Sequence, residues 1–134
     1  MKSKTLDAKV AIITGAGQGI GAAIAHGYAL AGAKVLLTGR TQAKVEEVAS
    51  AIRAAGGEAK AVQAQAGDAA DDARTIATAL DTWGRIDVLV NNAHSFTDYL
   101  PLEDSAMADH LRTNIGSRAR RRKPTRCRVA YGKE

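Results

Sequence analysis

Short apolar runs alternate with longer segments of helical periodicity along the first 116 residues, and this alternation limits the possible folds most strongly. The apolar runs predict four strands, at residues 10–14, 34–38, 60–64 and 86–90. Strands that alternate with helices form a parallel sheet with helices packed on its faces. We therefore expect an α/β protein with three layers.

Helices are predicted from the apolar spacing between these runs and from residues that favour helix ends. Thr41 is expected to cap the second helix and Asp68 the third, because short polar side chains accept hydrogen bonds from a helix's first N–H groups. Gly32 and Gly56 are expected to end the first and second helices. The predicted helices are residues 20–31, a segment between Thr41 and Gly56, residues 68–83, and a last helix that begins near residue 104.

Glycines are concentrated between the first strand and the first helix, in the order Thr14-Gly15-Ala16-Gly17-Gln18-Gly19-Ile20-Gly21. The first N–H groups of a helix have no partners within the helix and lie at the positive end of its dipole, so they attract anions. Residues without side chains let the backbone approach a phosphate closely. This segment, the glycine turn, therefore predicts a pyrophosphate site of a dinucleotide.

Three sequence blocks resemble the short-chain dehydrogenase/reductase family. The first is Thr14-Gly15-x-x-x-Gly19-Ile20-Gly21 in the glycine turn. The second is Asn91-Asn92-Ala93-His94, which matches the family's Asn-Asn-Ala-Gly except that His94 replaces glycine. The third is Asn114, within Thr113-Asn114-Ile115. The resemblance covers residues from about 7 to 116 and implies a Rossmann-like sheet of strand order 3-2-1-4, truncated because the family continues beyond it.

The end of the second strand bears on the choice of cofactor. In a dinucleotide fold an acidic residue at this place accepts hydrogen bonds from the ribose of NAD. Here the strand ends in Gly39-Arg40, and the next acid is Glu46. A guanidinium gives bidentate hydrogen bonds to a phosphate, so the sequence favours NADP(H) over NAD(H). Gln65 stands where the family usually has an aspartate that holds the adenine amino group.

The motif, the strand end and the resemblance together define the candidate site. The candidate cofactor-binding residues are Thr14, Gly15, Gln18, Gly19, Ile20, Gly21, Arg40, Gln65, Asn91 and Ala93. Asn114 is the candidate catalytic residue, because the resemblance implies that it helps a proton-relay water. His94 is not expected to be a catalytic base, since no carboxylate partner is visible for it in the sequence.

The family's catalytic pair is a Tyr followed four residues later by a Lys, which places both on one helix face. Tyr28 and Tyr99 are followed at that spacing by Gly32 and Glu103, and Tyr131 has no such residue after it. Two interpretations stay open. The chain is the cofactor-binding part of an NADP(H)-dependent oxidoreductase, inactive in this form, whose carbonyl or alcohol substrate would need further residues. Alternatively it is a non-catalytic nucleotide-binding or basic-tailed interaction module.

Charge is distributed unevenly along the chain. Residues 1–116 carry 11 basic and 13 acidic side chains, whereas residues 117–134 carry eight basic and one acidic, so the net charge of +5 originates in the last segment. We expect residues 1–116 to form the domain and residues 117–134 to form a disordered basic tail, the product of a shifted reading frame. Nucleic acid is not an expected partner, because aromatic residues do not alternate with the arginines. A single cysteine and the lack of a long apolar run favour a cytoplasmic protein without a membrane segment.

Overall fold

Strands and helices alternate strictly through residues 5–94, which are the residues that the computed structural model describes. The strands are β1 (Val10–Thr14), β2 (Lys34–Gly39), β3 (Glu58–Gln63) and β4 (Val88–Val90). The helices are α1 (Gly19–Leu30), α2 (Gln42–Ala54) and α3 (Ala69–Trp83). All neighbouring strands are parallel and lie in the order β3-β2-β1-β4, which confirms the predicted α/β sheet.

The sheet separates two apolar clusters of unequal size. On one face, α1 and α2 pack on β1 and β2, with Val45 and Ile52 of α2 almost fully buried against Ile13 and Leu37. On the other face, α3 contributes the buried Ala79, which packs near Ile12 and Leu36. Leu36 and Leu37 are adjacent in β2 and both fully buried, because successive side chains of a strand point to opposite faces. The expected three layers are therefore present.

The ends of several elements differ from the prediction by one or two residues. β3 begins at Glu58 and ends at Gln63 rather than covering 60–64, because its pairing with β2 starts opposite Lys34. Its apolar side chains are mostly alanine, so its pattern marks the strand ends weakly. β4 is limited to Val88–Val90 and does not begin at Ile86. α1 begins at Gly19, one residue before the predicted start, and ends at Leu30.

The two predicted helix caps have different outcomes. Asp68 is the cap of α3, and its Oδ1 accepts hydrogen bonds from the N–H groups of Ala70 and Asp71, both at 3.1 Å. Thr41 stands at the cap position of α2, but its side chain makes no capping bond. The expectation for its side chain was wrong, and the carbonyl of Thr41 accepts from Lys44 and Val45 instead.

Part of the prediction falls outside the described residues. The helix expected from about residue 104 and the basic segment 117–134 both lie there. No helix within residues 5–94 has the length and apolar character needed to cross a bilayer.

Candidate cofactor site

The glycine turn connects the carboxyl end of β1 to the first residue of α1. Gly15 and Gly19 have positive φ angles of +65° and +57°. Gln18 precedes the helix in an extended conformation, and no side chain caps this end of α1. No acidic residue lies in the first turn of the helix either. The first N–H groups of α1 are thus left for an anion.

A network of hydrogen bonds ties the glycine turn to the segment after β4. The Thr14 hydroxyl accepts from the N–H groups of Asn92 and Ala93 at 3.1 and 3.0 Å and donates to the Val90 carbonyl at 3.3 Å. Asn92 Nδ2 in turn donates to the carbonyls of Thr14 and Gly15 at 3.2 and 3.1 Å. The structure therefore brings the candidates Thr14, Gly15 and Ala93 together. Asn92 was missed as a site residue, although its place in Asn91-Asn92-Ala93 was a signal.

A surface cavity of about 340 Å³ opens where β2 and β3 end. It contains two of the candidate residues, Arg40 and Gln65, and the structure thereby places them side by side. The residues that line it are Arg40, Gln63, Ala64, Gln65, Asp71 and Arg74. The cavity lies at the carboxyl edge of the parallel sheet, at the end of β2, which pairs with the strand that the glycine turn follows. Ligand sites in this architecture are typically found at this edge.

Of the two arginines that line this cavity, only Arg74 has an ion-pair partner within residues 5–94. Arg74 forms an ion pair with Asp71 at 2.8 Å and donates to the Gln63 carbonyl at 2.5 Å. Asp71 also accepts from the backbone N–H of Gln65 at 2.8 Å. Within residues 5–94 the Arg40 guanidinium has no hydrogen bond or ion pair, and only its backbone carbonyl is bonded, to Gln63 Nε2 at 3.0 Å. Arg40 therefore offers an uncompensated positive charge to a ligand.

The remaining candidates are more dispersed. Ile20 is 74% exposed at the start of α1, and Asn91 is exposed just after β4. Gly21 is buried beneath the glycine turn. Asn114 lies outside the described residues. The side chain of Gln18 points to α2, where it accepts a hydrogen bond from Lys44, a residue that sequence reasoning missed.

His94 occupies the position at which the resemblance calls for glycine. Its ring Nδ1 lies 3.2 Å from the Asn92 carbonyl oxygen. Ala8 is the one non-glycine residue with positive φ in the described part of the chain, so His94 does not need the left-handed backbone that would favour glycine.

Residues 9–119 match the family model described as short chain dehydrogenase. The chain belongs to the short-chain dehydrogenase family. Family membership agrees with the uncapped α1 end, the glycine turn and the cavity at Arg40, which together have the form of a dinucleotide site. A Cβ at Gly15 would lie 2.9 Å from the Cα of Ala93, so a side chain would fill the space between the turn and the segment after β4.

Several curated proteins are similar to this chain. It is 40% identical to an uncharacterized oxidoreductase of Mycobacterium tuberculosis over 84% of this chain and 43% of that protein. It is also 40% identical to the short-chain dehydrogenase/reductase homolog YusS of Bacillus subtilis, over 72% of this chain and 88% of YusS.

Among solved structures, a metagenomic short-chain oxidoreductase in complex with NADP matches with a TM-score of 0.69 and 40% identity. The match covers 78% of this chain and 48% of that one. The chain thus spans less than half the length of the tuberculosis relative and of this structural neighbour, while it spans most of YusS.

Proposed function

We propose that this chain binds NADP(H) in preference to NAD(H) and is the cofactor-binding part of a short-chain oxidoreductase. The observation that carries the proposal is the position of Arg40, which lines the cavity at the end of β2 and whose guanidinium has no neutralising partner in residues 5–94. At the end of this strand the ribose hydroxyls of a dinucleotide are expected. The solved neighbour that is a complex with NADP supports the same cofactor.

Different residues of the chain would bind different parts of the cofactor. The N–H groups of Gly19, Ile20 and Gly21 at the start of α1 would bind the pyrophosphate. Arg40 would bind the 2′-phosphate by charge-assisted hydrogen bonds. The side-chain amide of Gln65, which makes no hydrogen bond within residues 5–94, would accept from the adenine amino group at the cavity wall.

Asn91 and Ala93 would adjoin the nicotinamide half, beyond the glycine turn. Thr14 would act indirectly, because its hydroxyl is engaged with the segment that carries Ala93. When bound, the nicotinamide ring carries the hydride that the family exchanges between alcohol and carbonyl carbons. Asn114 would assist proton transfer, but no Tyr in the sequence is followed by a Lys at the spacing that the family uses. We therefore propose binding without turnover for the 134-residue chain.

Titration of the chain with NADPH and NADH, followed by calorimetry or by cofactor fluorescence, tests the binding proposal. We expect NADPH to bind at least ten-fold more tightly, because a phosphate–guanidinium pair adds about 1.5 kcal/mol or more. Arg40→Asp should reverse the preference, since a carboxylate repels the 2′-phosphate and accepts from the ribose hydroxyls. Tighter binding of NADH by the unmodified chain would refute the NADP(H) assignment.

Turnover is tested separately, with NADPH and a panel of ketones and aldehydes. The proposal predicts no oxidation of NADPH above the rate without protein, under conditions in which the titration shows the cofactor bound. Sustained turnover that disappears in Asn114→Ala would show that the chain contains its own proton donor and would refute the inactive assignment.

A further inference from the structure

Lys44 extends from the first turn of α2 to the glycine turn. Its Nζ donates a hydrogen bond of 2.9 Å to Oε1 of Gln18, 26 residues earlier in the chain. Gln18 is the residue that directly precedes α1, and its side chain does not cap that helix. This hydrogen bond joins two exposed side chains and places the Lys44 ammonium beside the start of α1.

Close packing between the turn and α2 holds this arrangement. An ideal Cβ on Gly17 would lie 3.0 Å from Cβ of Lys44, and one on Gly39 would lie 2.8 Å from Cγ1 of Val45. Val45 itself is fully buried. The glycine turn, the end of β2 and the start of α2 are therefore in direct contact. Lys44 lies against the glycine turn at its Cβ and hydrogen-bonds to Gln18 at its Nζ.

The charge of Lys44 is available to a ligand. The ammonium has three donors, and the Gln18 amide oxygen is a neutral acceptor that occupies one of them. No carboxylate in residues 5–94 lies within salt-bridge distance of Lys44, and the first turn of α2 contains no acid. Arg40, two residues before α2, is also uncompensated in this part of the chain. Two cations thus border the junction between the glycine turn and the end of β2.

We infer that Lys44 is a second specificity-determining residue for the 2′-phosphate of NADP(H), and that Gln18 is its positioning residue. This inference rests on the proposed function, because it assumes that the adenosine ribose lies at the end of β2. Arg40 approaches the phosphate from the cavity at the ends of β2 and β3. Lys44 approaches it from the side of the glycine turn, with two free N–H donors.

The test uses two adenosine ligands that differ only by the 2′-phosphate, adenosine 2′,5′-bisphosphate and adenosine 5′-monophosphate. Both would occupy only the adenosine half of the proposed site, and binding is measured by calorimetry on the full chain. We expect Lys44→Ala to weaken the bisphosphate about five-fold and to change the monophosphate less than two-fold. Gln18→Ala should cause a smaller loss of the same selective kind, because Lys44 would lose the acceptor that positions its ammonium group.

Lys60→Ala is the matched control. Lys60 Nζ also donates to a neutral oxygen, Oγ1 of Thr82 at 3.2 Å, so this variant removes the same charge from another part of the molecule. We expect its ratio of affinities for the two ligands to equal that of the unmodified chain. Lys44→Arg should retain most of the selectivity, since it preserves a cation.

The outcomes separate the two proposals. If the unmodified chain binds both ligands equally, or binds neither, the NADP(H) assignment fails and the role of Lys44 fails with it. If the unmodified chain prefers the bisphosphate but Lys44→Ala behaves like Lys60→Ala, only the role of Lys44 is refuted. Equal weakening of both ligands by Lys44→Ala would also refute it, because the loss would then come from the shape of the turn.

Discussion

Gly21 and Gly27 lie in the same helix, α1, but only Gly21 lacks room for a side chain. A Cβ on Gly21 would lie 2.4 Å from the Gly15 carbonyl oxygen and 2.5 Å from Asn92 Nδ2, whereas a Cβ on Gly27 would meet nothing within 4 Å. The atoms near Gly21 belong to the backbone of the glycine turn and to the amide that holds it. The absence of a side chain at this residue thus determines the shape of the site.

We expect Gly21→Ala to lower the free energy of unfolding by about 1–3 kcal/mol and to abolish NADPH binding, because the turn must move away from the new methyl group. Gly27→Ala should raise the free energy of unfolding by about 0.5–1 kcal/mol and leave binding unchanged, since alanine is the better helix residue. Urea unfolding followed by circular dichroism, with a cofactor titration of each variant, measures both effects. Equal midpoints for the two variants would contradict the packing argument.

Residue spacing in the sequence was sufficient to locate Gly21, Arg40 and Asp68, because each belongs to a local pattern of a strand end or a helix start. It was not sufficient for Asn92 or Lys44. Their partners are residues of the glycine turn, 77 or 78 positions away for Asn92 and 26 for Lys44, and only the folded chain brings them together. Contacts of this kind depend on register and side-chain direction, which a single sequence does not contain.

At the scale of elements, Asp87 joins the beginning of β4 to the beginning of β1. Its Oδ2 accepts from the Val10 N–H at 2.8 Å, and both carboxylate oxygens accept from Arg85, at 2.9 and 2.6 Å. These hydrogen bonds, first that of Arg85 and then that of the Val10 amide, hold the pKa of Asp87 below its usual range. The carboxylate therefore stabilises the strand pair while it is ionised.

A group with a lowered pKa in the folded state contributes stability above its unfolded pKa and loses it as the pH falls through the folded value. We expect Asp87→Asn to lower the free energy of unfolding by about 1 kcal/mol at pH 7. The difference from the unmodified chain should begin to shrink as the pH falls below about 5, because Asp87 of the unfolded state takes up a proton near its ordinary pKa, and should disappear only below the lowered pKa of the folded state.

Urea unfolding at several pH values measures this difference. Asp81→Asn is the control, because Asp81 forms no hydrogen bond or ion pair through its side chain within residues 5–94. A constant difference between the unmodified chain and Asp87→Asn from pH 7 to pH 3 would show that the ionised carboxylate is not what joins β4 to β1.

The elements themselves were predictable to different degrees. β1 was located to the residue, since its side chains are apolar on both faces and the glycine turn ends it. β4 was predicted two residues too long, because Ile86 continues the apolar pattern of Val88 and Val90 on the other side of Asp87, whose carboxylate bonds to β1. The number of strands followed from the alternation of patterns, and their order from the resemblance to the family. The first and last residues of each strand depend on its pairing with the neighbouring strands. The apolar pattern of one segment does not determine that pairing.

At the scale of the whole molecule, the two faces of the sheet are covered unequally. Helix α2 buries Val45, Ala49 and Ile52 almost completely, whereas α3 buries Thr75 and Ala79 and leaves Ile76 and Leu80 nearly half exposed. Leu89 is paired with Ile12 and points to the α3 face, where it is 57% exposed. Burial of apolar side chains is the dominant stabilising term in folding, so within the described residues the α3 layer has less of it than the α1–α2 layer.

Native-state hydrogen exchange should reveal this difference, because regions with few buried apolar contacts open at a lower free energy. We expect amides of β1 and β2 to exchange slowest, since both strands are paired on both sides and their apolar side chains are buried. Amides of α3 should exchange faster than those of α2, although α3 is the longer helix and has a good cap at Asp68. Protection of α3 as strong as that of α2 would contradict the argument from burial, and Leu80→Ala would then destabilise the chain as strongly as Ile52→Ala, by about 2–5 kcal/mol. If α3 exchanges faster, as we expect, Leu80→Ala should lower the free energy of unfolding by only about 1 kcal/mol, because nearly half of the Leu80 side chain stays exposed and gains no transfer free energy on folding.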